Sequence, residues 1–119
     1  MPYDVEAIEV SFGANRNATV EEARQLEVEI TKKFIDVINS HEKIRPFLRE
    51  YPFPASRTDV MINFYKVKKN KSVDDNVELV FHVRDKLFYK TEDPDNEYLY
   101  RTIKEEPYEE ALKIVHGET

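Results

Sequence analysis

The chain has 119 residues, of which 40% are hydrophobic and 35% charged, with no cysteine and a net charge of −6 at pH 7. This length predicts a single α+β domain over residues 1–119, and the absence of cysteine excludes disulfides and thiolate metal sites. The acidic balance disfavours nucleic-acid binding, which needs an excess of Lys and Arg, and two glycines are too few for a glycine-rich phosphate loop.

Membrane and export signals are missing from the sequence. No apolar run is long enough for a transmembrane helix, and the first residues lack the basic and apolar parts of a signal peptide. We expect a soluble protein, either cytoplasmic or exported with its signal peptide already removed, and the sequence does not choose between the two.

The chain begins with a predicted strand and a long predicted helix. Apolar residues alternate with polar ones over residues 8–12, which indicates a half-buried strand. Thr19 and Glu22 have the spacing of a capping box at the start of a helix over Thr19–Ile38. The predicted core stripe of this helix recurs at spacings of three and four, the period of one helical face. Its members are Ala23, Leu26, Ile30, Phe34 and Ile38.

Residues 44–54 combine three prolines with several aromatic residues. The prolines prevent a continuous helix, while the aromatic content is too high for a solvated linker. The segment is therefore either a connector that covers one end of the core or a rigid recognition surface. We expect Phe47 and Phe53 to be buried, and Tyr51, Arg45 and Arg49 to lie at the surface.

Four further strands and a short helix follow, with strands predicted over residues 60–65, 77–84, 87–91 and 98–103. Pro107 begins a helix that ends near Gly117. In the third strand we expect Leu79, Phe81 and Val83 to face the core and His82 to face outward. The outer face of the sheet would then carry an apolar and tyrosine-rich set, which is Met61, Tyr65, Val80, Phe88, Tyr98 and Tyr100.

The predicted fold is an antiparallel β-meander of four to five strands packed on one long N-terminal helix, with a short C-terminal helix. In element order alone this α+β layout resembles the cystatin-like arrangement. The chain lacks a glycine-containing inhibitory hairpin of the kind cystatins use, so the resemblance implies a fold and no activity.

Catalytic and metal-binding motifs are weak in this sequence. His41 and His116 are explained by predicted helix ends, and His82 has no histidine partner at a zinc-ligand spacing. The acidic loop Asp93–Glu97 offers oxygen ligands but lacks the central glycine and distant bidentate Glu of a calcium loop. We therefore expect no metal, no cofactor and no catalytic residue.

The sequence is first interpreted as a small non-catalytic binding domain whose partner is another protein or a second copy in a homodimer. One alternative is a small enzyme that uses His82 and a carboxylate on the concave sheet face. Another is an acidic inhibitor or immunity-type protein that binds a basic partner. The candidate interaction surface comprises Arg45, Phe47, Arg49, Tyr51, Phe53, Tyr65, Tyr98 and Tyr100.

Overall fold

The computed structural model describes residues 4–65, 77–93 and 95–117, except for the side chains of residues 96–98. It has the predicted α+β composition. The elements in chain order are β1 (Ile8–Ala14), α1 (Val20–Ser40), β2 (Thr58–Phe64), β3 (Leu79–Val83), β4 (Lys86–Asp93), β5 (Asn96–Pro107) and α2 (Tyr108–Val115).

The five strands form one sheet in the order β1-β2-β3-β4-β5. β1 is parallel to β2, with Ile8 opposite Thr58 and Ala14 opposite Phe64, and the other neighbours are antiparallel. The prediction of a purely antiparallel meander is therefore wrong, and the sheet is mixed. The physical reason is the crossover: α1 runs back along the sheet, so the chain enters β2 at the end where it entered β1.

Both helices lie on the same face of this sheet, where they contact each other and the strands. Helix α2 lies beside α1 and does not cover the opposite, outer face of the sheet. The core lies between the two layers. Its buried apolar side chains include Ala23, Val28, Val60, Ile62, Phe64, Val80, Leu87, Tyr89 and Ala111.

Helix α1 begins with the predicted capping box. The Glu22 backbone N–H donates to Thr19 Oγ1 at 3.2 Å, and the Thr19 N–H donates to Glu22 Oε1 at 3.1 Å. These bonds satisfy two backbone donors that the helix itself leaves unpaired. The start of the helix was predictable because all the groups involved lie within three residues.

The buried face of α1 differs from the predicted stripe. Three polar residues, Arg24, Glu27 and Thr31, are buried against the sheet, whereas only Ala23 and Ile38 of the predicted stripe are buried. The other stripe residues are half-buried on a flank of the helix: Leu26, Ile30 and Phe34. The helix is rotated about its axis relative to the prediction, because Arg24 and Glu27 pair with Glu106 and His82 on the sheet.

The orientation of β3 is also the reverse of the prediction. Val80 and His82 are fully buried under the helices, while Leu79 and Phe81 are half-buried and Val83 is exposed. Apolar residues occupy both phases of this strand, so alternation alone could not choose its inner face. A shift of one residue exchanges the two faces completely.

Candidate functional site

An apolar groove lies between the edge strand β1 and helix α1. It has a volume of about 320 Å³ and is lined by Phe12, Ile30, Lys33, Phe34 and Val37. The helix lies over β2 and β3, so the helix-facing side of β1 is only partly covered. We call Phe12, Ile30, Phe34 and Val37 the α1–β1 flank.

Two apolar side chains of the α1–β1 flank are unusually exposed to solvent. Val37 is 64% exposed and Phe12 is 40% exposed, while Ile30 and Phe34 are half-buried beneath them. Clustered apolar exposure of this kind marks a surface that is covered by something else in many proteins. The flank can bind an apolar side chain or strand, and it offers no acid–base chemistry.

The buried polar residues of α1 form two clusters with the sheet. In the first, His82 Nδ1 lies 2.8 Å from Glu27 Oε2, and His82 Nε2 lies 3.0 Å from Thr58 Oγ1 and 3.2 Å from the carbonyl oxygen of Ala55. The Thr58 hydroxyl donates to the same Ala55 carbonyl at 2.8 Å. Since a carbonyl oxygen can only accept, Nε2 carries a proton in this arrangement.

Burial raises the pKa of the Glu27 carboxyl to about 7. The hydrogen bond to His82 lowers this pKa, but by less than burial raises it. Glu27 Oε1 and the neighbouring Thr31 Oγ1 have no hydrogen-bond partner among the described residues. The ionised carboxylate therefore lacks part of the solvation it would have in water. Tyr108 packs against His82 with ring centroids 5.5 Å apart, and burial followed by the charge of Glu27 raises the pKa of Tyr108 to about 12.

The raised pKa of Glu27 predicts a pH dependence of stability. The folded state holds the Glu27 proton more tightly than the unfolded chain, whose Glu pKa is near 4.5. The resulting stabilisation is complete below pH 4.5 and is lost as pH rises through about 7. We expect this carboxyl to remove about 3 kcal/mol of unfolding free energy between pH 4.5 and 8, measured by urea denaturation.

Glu27→Gln is the matched control for this pH dependence, because an amide keeps the shape and does not titrate. Burial also raises the pKa of Asp59, so part of the pH effect will remain in the variant. The Glu27 contribution is therefore the difference between the two pH profiles. Parallel profiles for the wild-type protein and Glu27→Gln would contradict a raised Glu27 pKa.

The second buried cluster joins α1 to β4 and β5. Arg24 donates from Nε to Glu106 Oε1 at 2.7 Å and from Nη2 to Glu106 Oε2 at 3.2 Å. The Tyr89 hydroxyl donates to Glu106 Oε1 at 2.5 Å. The bonds to Glu106 raise the pKa of Arg24, and burial raises the pKa of Tyr89. Each charge in this cluster is paired, which is what a buried ion pair needs in order to persist.

The Glu27–His82–Thr58 arrangement has the order of groups found in acid–base catalysis, a carboxyl, an imidazole and a hydroxyl. His82 and Glu27 have no exposed surface, and Thr58 is 2% exposed. His82 also lies on the core side of the sheet rather than on the outward side that the sequence predicted. The cluster therefore connects α1, β2 and β3. Among the described residues, no opening leads from the surface to these side chains, so a substrate cannot reach them.

The predicted proline-aromatic segment is held by contacts within the protein. Arg45 lies over the Tyr51 ring at 4.9 Å from its centroid. Arg49 forms ion pairs with Asp4 and Glu6. Tyr51, Arg45 and Arg49 are exposed, as predicted.

The two phenylalanines of this segment differ from each other. Phe53 is 1% exposed, as predicted, and its N–H donates to Asn39 Oδ1 at 2.7 Å. Phe47 is 37% exposed, so the prediction that it is buried is wrong. Its backbone carbonyl accepts the N–H of Val5 at 2.7 Å, which fixes the main chain and leaves the ring at the rim of the core.

The structure describes two of the three tyrosines predicted on the outer sheet face. Tyr65 and Tyr100 are both exposed, and the side chain of Tyr98 lies outside the described residues. The Tyr65 ring lies over Gly13 of β1, where a Cβ would come within 2.7 Å of Tyr65 Cε2. Glycine at position 13 thus allows Tyr65 to cover the outer face of the edge strand.

The outer sheet face carries a stacked aromatic pair, Phe81 and Phe88, with ring centroids 5.3 Å apart. Lys86 and Lys90 lie over these rings at 5.9 and 5.8 Å from the centroids. Val80, which the sequence placed on this face, is fully buried on the opposite side. The lysine side chains cover part of the aromatic surface and make this face less apolar than the sequence predicted.

No group of three or more His, Asp or Glu side chains within residues 4–65, 77–93 and 95–117 is arranged to hold a metal ion. The acidic loop considered for calcium lies partly outside the described residues, because Pro94 and the side chains of Asn96 and Glu97 are not described. Neither helix in the described part of the chain is long and apolar enough to cross a membrane.

Comparisons with protein-family models, with curated proteins and with solved structures find no match to this chain.

The α1–β1 flank was not predicted, although the sequence contains a signal for it. Ile30, Phe34 and Val37 are spaced by four and three residues, which defines a helical face of their own. Ala23 and Ile38 belong to the buried face. The predicted stripe combines residues of these two faces, and the alternation of residues 8–12 predicts Phe12 only as part of a half-buried strand.

Proposed function

We propose that this protein is a small non-catalytic domain that binds another polypeptide through the α1–β1 flank. The observation that supports this proposal is the position of the apolar face of α1. Ile30, Phe34 and Val37 face a groove beside the edge of the sheet, while polar residues of the same helix are buried beneath it. A partner that fills this groove would remove exposed apolar surface from water.

The other surfaces have less support as binding sites. The exposed arginines of residues 44–54 already interact with Tyr51, Asp4 and Glu6. The outer aromatic pair is partly covered by lysines. The α1–β1 flank has no comparable covering side chain among the described residues, so a partner could contact it without displacing an existing interaction.

The two alternative functions are less well supported by the geometry. A catalytic role for His82 requires access that its complete burial denies. An acidic inhibitor would meet its basic partner with carboxylates, whereas the charged residue that lines the groove is Lys33.

The proposal predicts that Val37→Glu weakens binding of the partner at least about tenfold, because a carboxylate would have to be desolvated in an apolar contact. Since Val37 is 64% exposed, the free energy of unfolding should change by less than about 0.5 kcal/mol. The measurement is photo-crosslinking in the native host, with a photoreactive residue at position 37, followed by binding assays with the captured polypeptide.

Leu99 provides the matched control, because it is 55% exposed on β5, the opposite edge strand of the sheet. A photoreactive residue at position 99 should not capture the same polypeptide, and Leu99→Glu should leave binding unchanged. Equal capture from positions 37 and 99, or equal loss of binding in the two glutamate variants, would contradict a site at the α1–β1 flank.

A further inference from the structure

The backbone N–H and C=O groups on one side of β1 pair with β2, and those on the other side face away from the sheet. Tyr65 donates its N–H to the Ala14 carbonyl at 2.8 Å, so the backbone groups of Ala14 point towards β2. Because successive residues of a strand alternate, Glu9, Ser11 and Gly13 direct their N–H and C=O groups to the other side. No strand in the described part of the chain pairs with that side.

The two edges of the sheet differ in how they are protected. β5 carries Arg101, Lys104 and Glu105, and its pairing with β4 contains two register shifts. Charges and bulges of this kind normally prevent an edge strand from pairing with another chain. β1 has the sequence Ile-Glu-Val-Ser-Phe-Gly-Ala, with Glu9 as its single charge and no proline or lysine. Its edge is therefore open to a further strand.

We propose that the occupant of the α1–β1 flank is a second copy of this chain, whose β1 pairs antiparallel with β1 across a two-fold axis. This inference rests on the proposed function and names its partner. The register places Ser11 opposite Ser11, so all seven residues of each strand are paired. The two sheets then form one continuous ten-stranded sheet.

Charge and shape favour this self-pairing. In this register Glu9 of one copy lies opposite Gly13 of the other, so the like charges do not face each other. On the groove side, Val10 of one copy lies opposite Phe12 of the other. The two grooves meet at the axis, and each exposed Phe12 gains an apolar neighbour from the second copy. β1 thus supplies both the open edge and a strand that matches it.

The first test is the mass of the purified protein in solution, measured by sedimentation over a series of concentrations. We expect the mass to approach twice the chain's 14.1 kDa as concentration rises. Ser11→Pro should lose the dimer, because proline removes an N–H from the free edge without removing one that faces β2. Ser11→Ala keeps that N–H and should retain the dimer. A monomeric wild-type protein, or a dimer that persists in Ser11→Pro, overturns the proposal.

The second test does not depend on the folding of the proline variant. The chain has no cysteine, so Ser11→Cys and Leu99→Cys each introduce a single thiol, one on each edge strand. Opposed residues of a hydrogen-bonded antiparallel pair have Cα atoms about 5.5 Å apart, within reach of a short bis-maleimide. We expect crosslinked dimers from Ser11→Cys and none from Leu99→Cys. Equal crosslinking at the two positions overturns the two-fold pairing.

These outcomes separate the inference from the proposed function. A wild-type protein that stays monomeric, while Val37→Glu still abolishes capture of a different polypeptide, overturns the second copy as occupant and retains the flank as a binding site. A dimer that forms equally well in Val37→Glu and Ser11→Pro overturns the second copy as occupant, and equal capture of a polypeptide from positions 37 and 99 in addition overturns both.

Discussion

Replacing His82 with alanine is expected to lower the free energy of unfolding by about 3–5 kcal/mol, measured by urea denaturation at pH 7. The change removes a fully buried side chain and leaves Glu27 Oε2 without its partner at 2.8 Å. The substitution also removes the ring that the Thr58 hydroxyl and Tyr108 contact. A buried carboxyl without a partner costs more than the apolar contacts that are lost with it.

Val83→Ala is the control for this prediction, because Val83 is the next residue of β3 and is 48% exposed on the outer face. It should lower the free energy of unfolding by less than about 1 kcal/mol. Equal losses in His82→Ala and Val83→Ala would mean that the inner face of β3 is assigned wrongly.

A double replacement tests what the buried pair contributes beyond stability. In Glu27→Leu with His82→Leu, the free energy of unfolding should recover most of the loss seen in the single variants, because apolar residues of similar volume need no hydrogen-bond partner. If this double variant also binds the partner like the wild-type protein, the buried pair has no part in binding. Loss of binding in a stable double variant would instead show that the buried pair contributes to binding.

The second large effect is expected from Phe53→Ala, which should lower the free energy of unfolding by about 3–5 kcal/mol. Phe53 is 1% exposed at the end of the proline-aromatic segment. Its N–H and C=O both bond to the Asn39 side chain, at 2.7 and 3.3 Å, so the main chain of the variant cannot move into the cavity without breaking these bonds. The expected loss therefore includes a cavity that collapses poorly.

Phe47→Ala is the matched control in the same segment, and it should lower the free energy of unfolding by less than about 1.5 kcal/mol because 37% of Phe47 is already exposed. A large loss from Phe53 and a small one from Phe47 would identify residues 44–54 as a connector that closes one end of the core. Comparable losses would show that both rings are packed, and a negligible loss from Phe53 would contradict its role in the core.

Local features of this protein could be predicted from the sequence because the residues that form them are only a few positions apart. The capping box joins Thr19 and Glu22, which are three residues apart, and helical periodicity is set by neighbouring turns. The boundaries of α1 and the α+β composition depend on such local signals. The burial of Phe53 is predicted because the aromatic content of residues 44–54 is too high for a solvated linker.

The buried faces could not be predicted, because their partners are far away in the sequence. Glu27 and His82 are separated by 55 positions, and Arg24 and Glu106 by 82. A charged residue on an amphipathic helix is normally expected in water, and only a partner on the opposite element makes its burial favourable. The same partners determine which phase of β3 faces the helices, since apolar residues occur in both phases.

The sequence by itself determined the α+β composition, the start of α1 and the absence of disulfides. Only the tertiary structure decided that β1 is a parallel edge strand and that the apolar residues of α1 line a groove with Phe12. Periodicity defines which residues share a face of one element, but it does not define the rotation of that element against its neighbours. That rotation follows from the pairing of Glu27 with His82 and of Arg24 with Glu106, which leaves Ile30, Phe34 and Val37 at the edge of the sheet.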